Sequence, residues 1–191
     1  MKREIVVASG NKGKLKEIKE MLKDYEVFGY KDFGLDFEIE ENGNTFFENA
    51  LIKAKAVAQA LGKPALADDS GIVVEALGGQ PGIYSARYAG DGDDAHNNQL
   101  LLKNMEGVED RRAKFVCCMV YYTPEGNVVT ASGETRGTIM QAPEGSNGFG
   151  YDCIFFSEDL QKGLGVASDQ EKNSISHRSR ALKALMEKLN G

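Results

Sequence analysis

Three stretches of this sequence bring together side chains with chemical use. The first is Ser9-Gly10-Asn11-Lys12-Gly13-Lys14, lying between an apolar run and an amphipathic stretch. Glycine lets backbone approach a guest closely, a helix N-terminus turns N–H groups toward it, and Lys14 adds a full charge, so phosphate is the natural guest. Neither GxxxxGK[ST] nor GxGxxG is present, which sets aside a P-loop and a dinucleotide fingerprint. A polar turn ahead of a surface helix has the same composition. The second stretch is Asp68-Asp69-Ser70-Gly71, directly after an apolar run. Neighbouring carboxylates there are costly unless solvated, capped or bound to a cation. Mg²⁺ accepts one or two protein carboxylates together with substrate phosphates, and Glu40 or Glu41 could supply a further ligand. An exposed Asx turn is the competing account. The third is Phe149-Gly150-Tyr151-Asp152 with Ser176-His177-Arg178. Phe149 offers a stacking face, and His177 and Arg178 offer donors to base edges. Turn packing and a helix cap explain the same residues without a ligand. Lys53, Arg87 and Lys172 are further cations of a type usually found on solvated surface.

These residues need elements to position them. Glu4–Ala8 reads as a buried strand, and Leu15, Ile18, Met21 and Leu22 recur at helical spacing over 13–23. A second strand is expected over 26–30, followed by an irregular acidic segment over 31–44. Thr45 and Glu48 have capping-box spacing for a helix to Leu61, with Gly62 as its stop. Ala65–Ala67 and Ile72–Val74 read as one strand broken by the polar turn between them. Residues 77–92 suit an ordered functional loop, and a helix is expected over 95–105. Two long strands, 114–123 and 127–140, are joined by Pro124-Glu125-Gly126 as a hairpin. Gly145–Gly150 forms another glycine loop before a final helix over 175–189. The pattern is α/β with a mixed sheet, because a long hairpin interrupts an alternating order.

The 191 residues carry 23 Lys and Arg against 29 Asp and Glu, a net charge of −6, which disfavours a broad sequence-independent DNA binder. No apolar run approaches the ~20 residues of a membrane helix, and strand-like sequence from residue 4 leaves no room for a signal peptide, so a cytoplasmic protein is expected. Charge is uneven. Residues 2–23 hold seven basic residues, residues 162–188 hold six, and Asp32–Glu48 holds six carboxylates with no base. Cations at both ends with carboxylates between them suit a polyanion held partly by protein and partly by a metal ion. The three cysteines, Cys117, Cys118 and Cys153, form no CxxC pair, and adjacent strand positions face opposite ways. Buried free thiols are expected.

Six segments in order carry a wider likeness: Ser9–Lys14, Thr45-Phe-Phe-Glu-Asn-Ala50, Ala67-Asp-Asp-Ser-Gly71, Leu77-Gly-Gly-Gln-Pro-Gly-Ile-Tyr-Ser-Ala-Arg-Tyr-Ala-Gly90, Gly148-Phe-Gly-Tyr-Asp152 and Ser176-His-Arg178. Together they closely resemble the inosine triphosphate pyrophosphatase family, over essentially the whole chain. Cys153 departs from the proline with which that family usually continues. The resemblance implies a single domain over 1–191, two-lobed, with a long central mixed sheet flanked by helices and an active site in the cleft between lobes. It also implies a homodimer that hydrolyses ITP, dITP or XTP to the monophosphate and pyrophosphate with Mg²⁺. By position, Ser9, Gly10, Asn11, Lys12, Gly13, Lys14, Lys53 and Lys172 resemble the triphosphate contacts. Glu40 and Asp69 resemble the metal ligands, with Glu41 the adjacent alternative to Glu40. Asp69 resembles the general base, and Ser70, Phe149, Gly150, Tyr151, Asp152, His177 and Arg178 the nucleoside contacts. A donor from His177 or Arg178 would favour a 6-oxo purine over adenine, since an unpaired donor costs about 1–3 kcal/mol. A non-catalytic nucleotide sensor and a septum-inhibitor-like pyrophosphatase of modified pyrimidines are the alternatives.

Overall fold

Apolar runs and amphipathic stretches become strands and helices in the expected alternation. The computed structural model describes residues 3–191. Its order is β1 (Arg3–Val7), α1 (Lys12–Met21), β2 (Tyr25–Gly29), α2 (Phe46–Leu61), β3 (Ala65–Val74), α3 (Asp94–Asn104), β4 (Arg112–Tyr122), β5 (Val128–Ile139), β6 (Phe155–Ser157), β7 (Lys162–Gly163), α4 (Asp169–Ile175) and α5 (His177–Asn190). Short 3-10 turns fill 30–33, 75–77, 82–87, 152–154 and 164–166. The seven-stranded sheet runs β2-β1-β3-β4-β5-β6-β7. β1 pairs in parallel with β2 and β3, whereas β5–β6 and β6–β7 are antiparallel. The expected α/β fold with a mixed sheet is therefore present.

The chain divides into two compact units, one of residues 1–69, 117–132 and 181–191, the other of 70–116 and 133–180. In the first, alternation along the strands sends Ile5, Val7, Leu66 and Cys117 to one face, where they pack with Ile18 of α1, Leu22 at its C-cap, and Leu182 and Leu185 of α5. Val6, Ala8, Ala65 and Ala67 turn the other way, against Ala50, Ala54, Val57 and Ala58 of α2. The small residues on α2 let helix and sheet approach closely. In the second unit Ile72, Val74, Leu101, Met105, Phe115, Ile139, Phe155 and Leu164 form the core.

Two local expectations are corrected. Asp68–Gly71 is not a turn, because β3 continues unbroken from Ala65 to Val74. The ladder supplies the backbone hydrogen bonds, and cations from α1 and α2 offset the carboxylates, so the polar residues need not leave the sheet. The final helix does not begin at Ile175. That residue ends α4, whose capping box pairs Ser168 with Glu171. Ser176 then opens α5, its Oγ accepting from the Ser179 N–H at 3.1 Å. Cys117 and Cys118 are buried free thiols as expected, while Cys153 is only half-buried. Among the described residues no helix is long and apolar enough to cross a membrane.

Candidate active site

The first unit gathers two lysines and three carboxylates. Asp68 and Asp69 are neighbours on β3 and face opposite sides of the sheet, each toward a different helix. Asp68 meets α1: its Oδ2 lies 3.1 Å from Lys14 Nζ, and the Cys117 thiol points at the same oxygen from 3.9 Å. Asp69 meets α2, with Oδ1 3.7 Å from Lys53 Nζ. Lys53 stands on the apolar stripe of α2 and is itself buried. Its ammonium also lies 3.0 Å from Glu41 Oε2. The acidic segment reaches it because Gly43 lies flat on α2, where a Cβ would sit 2.7 Å from the Glu48 Cβ. The Gly43 N–H donates to Asn49 Oδ1 at 2.8 Å there. Glu40, one residue away, is exposed.

Burial raises the Asp69 carboxyl from its usual value to about 6, Glu41 and Asp68 acting in the same direction, while Lys53 and Lys14 pull it back. Burial lowers the Lys53 ammonium, but Asp68, Asp69 and Glu41 outweigh it and leave the group above its ordinary value. Asp69 Oδ2 is buried and has no hydrogen-bond partner among the described residues. A carboxylate oxygen in that state suits a proton, a water or a cation. Among the described residues no three His, Cys, Asp or Glu side chains converge to hold a metal by themselves. A hard cation completed by substrate phosphates needs only one or two carboxylates, and Asp69 with Glu41 beside one ammonium meets that requirement.

Ahead of α1 the turn is built for its own order. Asn11 is the N-cap, accepting the Lys14 N–H at 3.0 Å, and its own N–H donates to Ser9 Oγ at 3.1 Å. Gly10 and Lys12 are exposed at the helix start, and Gly13 follows half-buried.

The second unit gathers the other expected residues. Phe149 lies under two cations, Lys172 Nζ at 4.6 Å and the Arg178 guanidinium at 5.7 Å from the ring centre. Lys172 is 4% exposed and pairs with Asp152 Oδ2 at 2.6 Å. The same oxygen accepts the Phe149 N–H at 3.0 Å. Asp152 packs on Gly148, whose φ of 78° and missing side chain leave the carboxylate its room. Arg178 is 1% exposed and donates to Ser70 Oγ at 3.2 Å. His177 stacks on Phe115, ring centres 4.9 Å apart and 15° from parallel. Tyr151 donates its phenol to the Ser85 carbonyl at 2.6 Å, and burial pushes that phenol well above its usual range. Lys172, expected among the triphosphate contacts, thus sits with the aromatic loop.

Sequence reasoning missed the polar face of α3. Asp94 and Asn98 hold Gly150, and Asn97 holds the loop around Ala86 and Ala89. Two adjacent asparagines inside a helix were the available signal, since such residues disfavour helix interiors.

The chain matches the model of the Ham1 family over residues 5–188. It is 46% identical over 189 residues to the dITP/XTP pyrophosphatase of Staphylococcus epidermidis, covering 98% of this chain and 97% of the relative. The dITP/XTP pyrophosphatase of Lactiplantibacillus plantarum is 47% identical, with 96% and 93% covered. Among solved structures, the Staphylococcus aureus Ham1 protein superposes with a TM-score of 0.88 at 44% identity, covering 99% of both chains. A nucleoside-triphosphatase / dITP/XTP pyrophosphatase from Mycobacterium abscessus gives 0.77 at 41%, covering 96% and 98%. The six ordered motifs and this full-length likeness lead to one conclusion: the chain belongs to the Ham1 family.

Proposed function

We propose that this chain is a nucleoside triphosphate pyrophosphatase that hydrolyses ITP, dITP and XTP to the monophosphate and pyrophosphate, removing them from the nucleotide pool. The observation that carries the reading is Asp69, a buried carboxylate near pKa 6 with one oxygen uncommitted and two lysines nearby. It is ionised at neutral pH yet basic enough to take a proton, which is the balance general-base catalysis requires. Water attacking the α-phosphorus gives its proton to Asp69 as the new P–O bond forms. The bond from the α-phosphorus to the bridging oxygen breaks, and pyrophosphate leaves with the electron pair. Lys14 and Lys53, with the Ser9–Lys14 turn, bind the polyanion and offset its charge. Mg²⁺, held by Asp69 with Glu40 or Glu41 as the second carboxylate, would supply further neutralisation of the departing pyrophosphate. On the nucleoside side Phe149 offers a stacking face. Ser70, Gly150, Tyr151, Asp152, His177 and Arg178 shape the surroundings of the base, and Lys172, whose ammonium lies over the Phe149 ring, is a further cation for the triphosphate.

The same reading takes residues 1–191 as one catalytic domain acting as a cytoplasmic homodimer, and sedimentation of the purified protein measures the assembly. Pyrophosphate release from ITP, dITP, XTP, ATP, GTP and modified pyrimidine triphosphates tests the activity. Preferential release from the first three is expected. Binding without release would leave a sensor, and preference for the pyrimidines would leave the septum-inhibitor-like chemistry.

A further inference from the structure

Helix α3 turns polar residues inward where an amphipathic helix ordinarily packs apolar ones. Asn97 and Asn98 are 2% and 6% exposed. Asn98 Nδ2 donates to the Gly150 carbonyl at 2.9 Å, and Asp94 Oδ2, one turn earlier, accepts the Gly150 N–H at 2.8 Å. Both polar groups of one residue are therefore gripped from a single helix face, which is what an i, i+4 pair can do. On the other side Asp152 accepts the Phe149 N–H, and its own N–H donates to the Phe149 carbonyl at 3.2 Å. All four backbone polar groups of Phe149 and Gly150 are thus engaged within the protein. Gly150 has φ of 60°, so the grip is on a backbone conformation that other residues seldom adopt. With its backbone fully committed, the group this segment leaves for a ligand is the half-buried Phe149 ring.

We propose that Asp94 and Asn98 are positioning residues for nucleoside recognition, holding Gly150 so that the Phe149 ring stays in place as the stacking face for the base. The inference rests on the reading that the Phe149–Asp152 segment takes the nucleoside. Neither residue touches substrate. They act through Gly150, and their loss acts on base binding rather than on the phosphate chain.

Asp94 is exposed, so Asp94→Ala removes the acceptor without opening the core. It is expected to raise KM for ITP about three- to tenfold with kcat nearly unchanged, the range one lost hydrogen bond produces. The affinity for inosine monophosphate, measured calorimetrically, should fall by a similar factor, and that for inorganic pyrophosphate should not change. Asp94→Asn keeps an oxygen acceptor and should recover most of the loss. Asn98→Ala, at a buried position, should show the same split together with a lower Tm. Wild-type KM and monophosphate affinity in Asp94→Ala would overturn the proposal, as would equal weakening of monophosphate and pyrophosphate. Absence of pyrophosphate release by the wild-type protein strikes instead at the proposed function, and the monophosphate affinities of the variants then still decide the role of the clamp.

Discussion

Replacing Asp69 by asparagine should abolish turnover while raising stability. The two effects come from the same burial. Burial lifts the carboxyl from 3.8 to about 6, which sets on the order of 3 kcal/mol against the ionised form. Because the folded-state pKa is the higher one, the folded protein binds the proton more tightly than the unfolded chain. Stability therefore falls as pH rises from about 4 to about 6, and the penalty is fully present at pH 7.5. Asparagine keeps the shape and carries no charge, so Asp69→Asn escapes that penalty. Lys53 retains Glu41 as its partner at 3.0 Å, so the substitution does not strand a buried cation. With EDTA present the variant should melt above wild type at pH 7.5, and the gap should narrow at pH 5. Turnover should fall by about 10²–10⁴, the usual worth of a general base, with the greater loss where a metal ligand goes too. Wild-type kcat/KM should itself decline below pH 6 as Asp69 protonates. Pyrophosphate release and calorimetric melting on one preparation measure both quantities. A variant with substantial turnover, or one that melts below wild type at pH 7.5 with no narrowing in acid, refutes the reasoning.

Lys14→Ala should raise KM for the triphosphate and also lower Tm, since it removes the ammonium 3.1 Å from the fully buried Asp68 carboxylate. Steady-state kinetics with a melting curve reads both, and an unchanged KM moves the phosphate site elsewhere. Arg178→Ala should lower the ITP-to-ATP ratio of kcat/KM by about tenfold, the worth of one buried donor. It should also destabilise the fold, because the guanidinium is buried against Phe149 and bonded to Ser70; an unaltered ratio assigns selection to other residues. His96 Nδ1 lies 2.5 Å from Asp91 Oδ2, and that hydrogen bond raises the imidazole above its ordinary value. Any stability the pair contributes is present below pH 6.5 and lost as pH rises through the raised value. NMR titration should show the raised pKa in wild type and a lower one in Asp91→Asn, where only the charge of Asp93 remains to raise it.

Six motifs in order point to the family, which the full-length likeness then shows, and local patterns set most elements. Apolar runs, the Thr45 cap, the Gly62 stop and the Pro124–Gly126 hairpin each act through contacts within a few residues, so the sequence displays them directly. The exceptions share one cause. Asp68-Asp69-Ser70-Gly71 has the composition of a turn, yet it runs on as strand because Lys14 and Lys53, far away in sequence, offset the carboxylates inside the sheet. Whether Glu40 or Glu41 reaches Lys53 was likewise hidden in an irregular segment with no periodicity. The approach of Gly43 to α2 decides it, and Glu41 is the one ion-paired. Lys172 shows in the sequence only as a lone cation, because Asp152 and Phe149, which hold it, lie far from it along the chain. Asp94 and Asn98 showed nothing in the sequence beyond poor helix formers, because their partner lies more than fifty residues away. Residue type and short-range spacing thus declare what chemistry is available. Which charges neutralise one another, and which backbone groups are gripped, depends on distances that only tertiary packing sets.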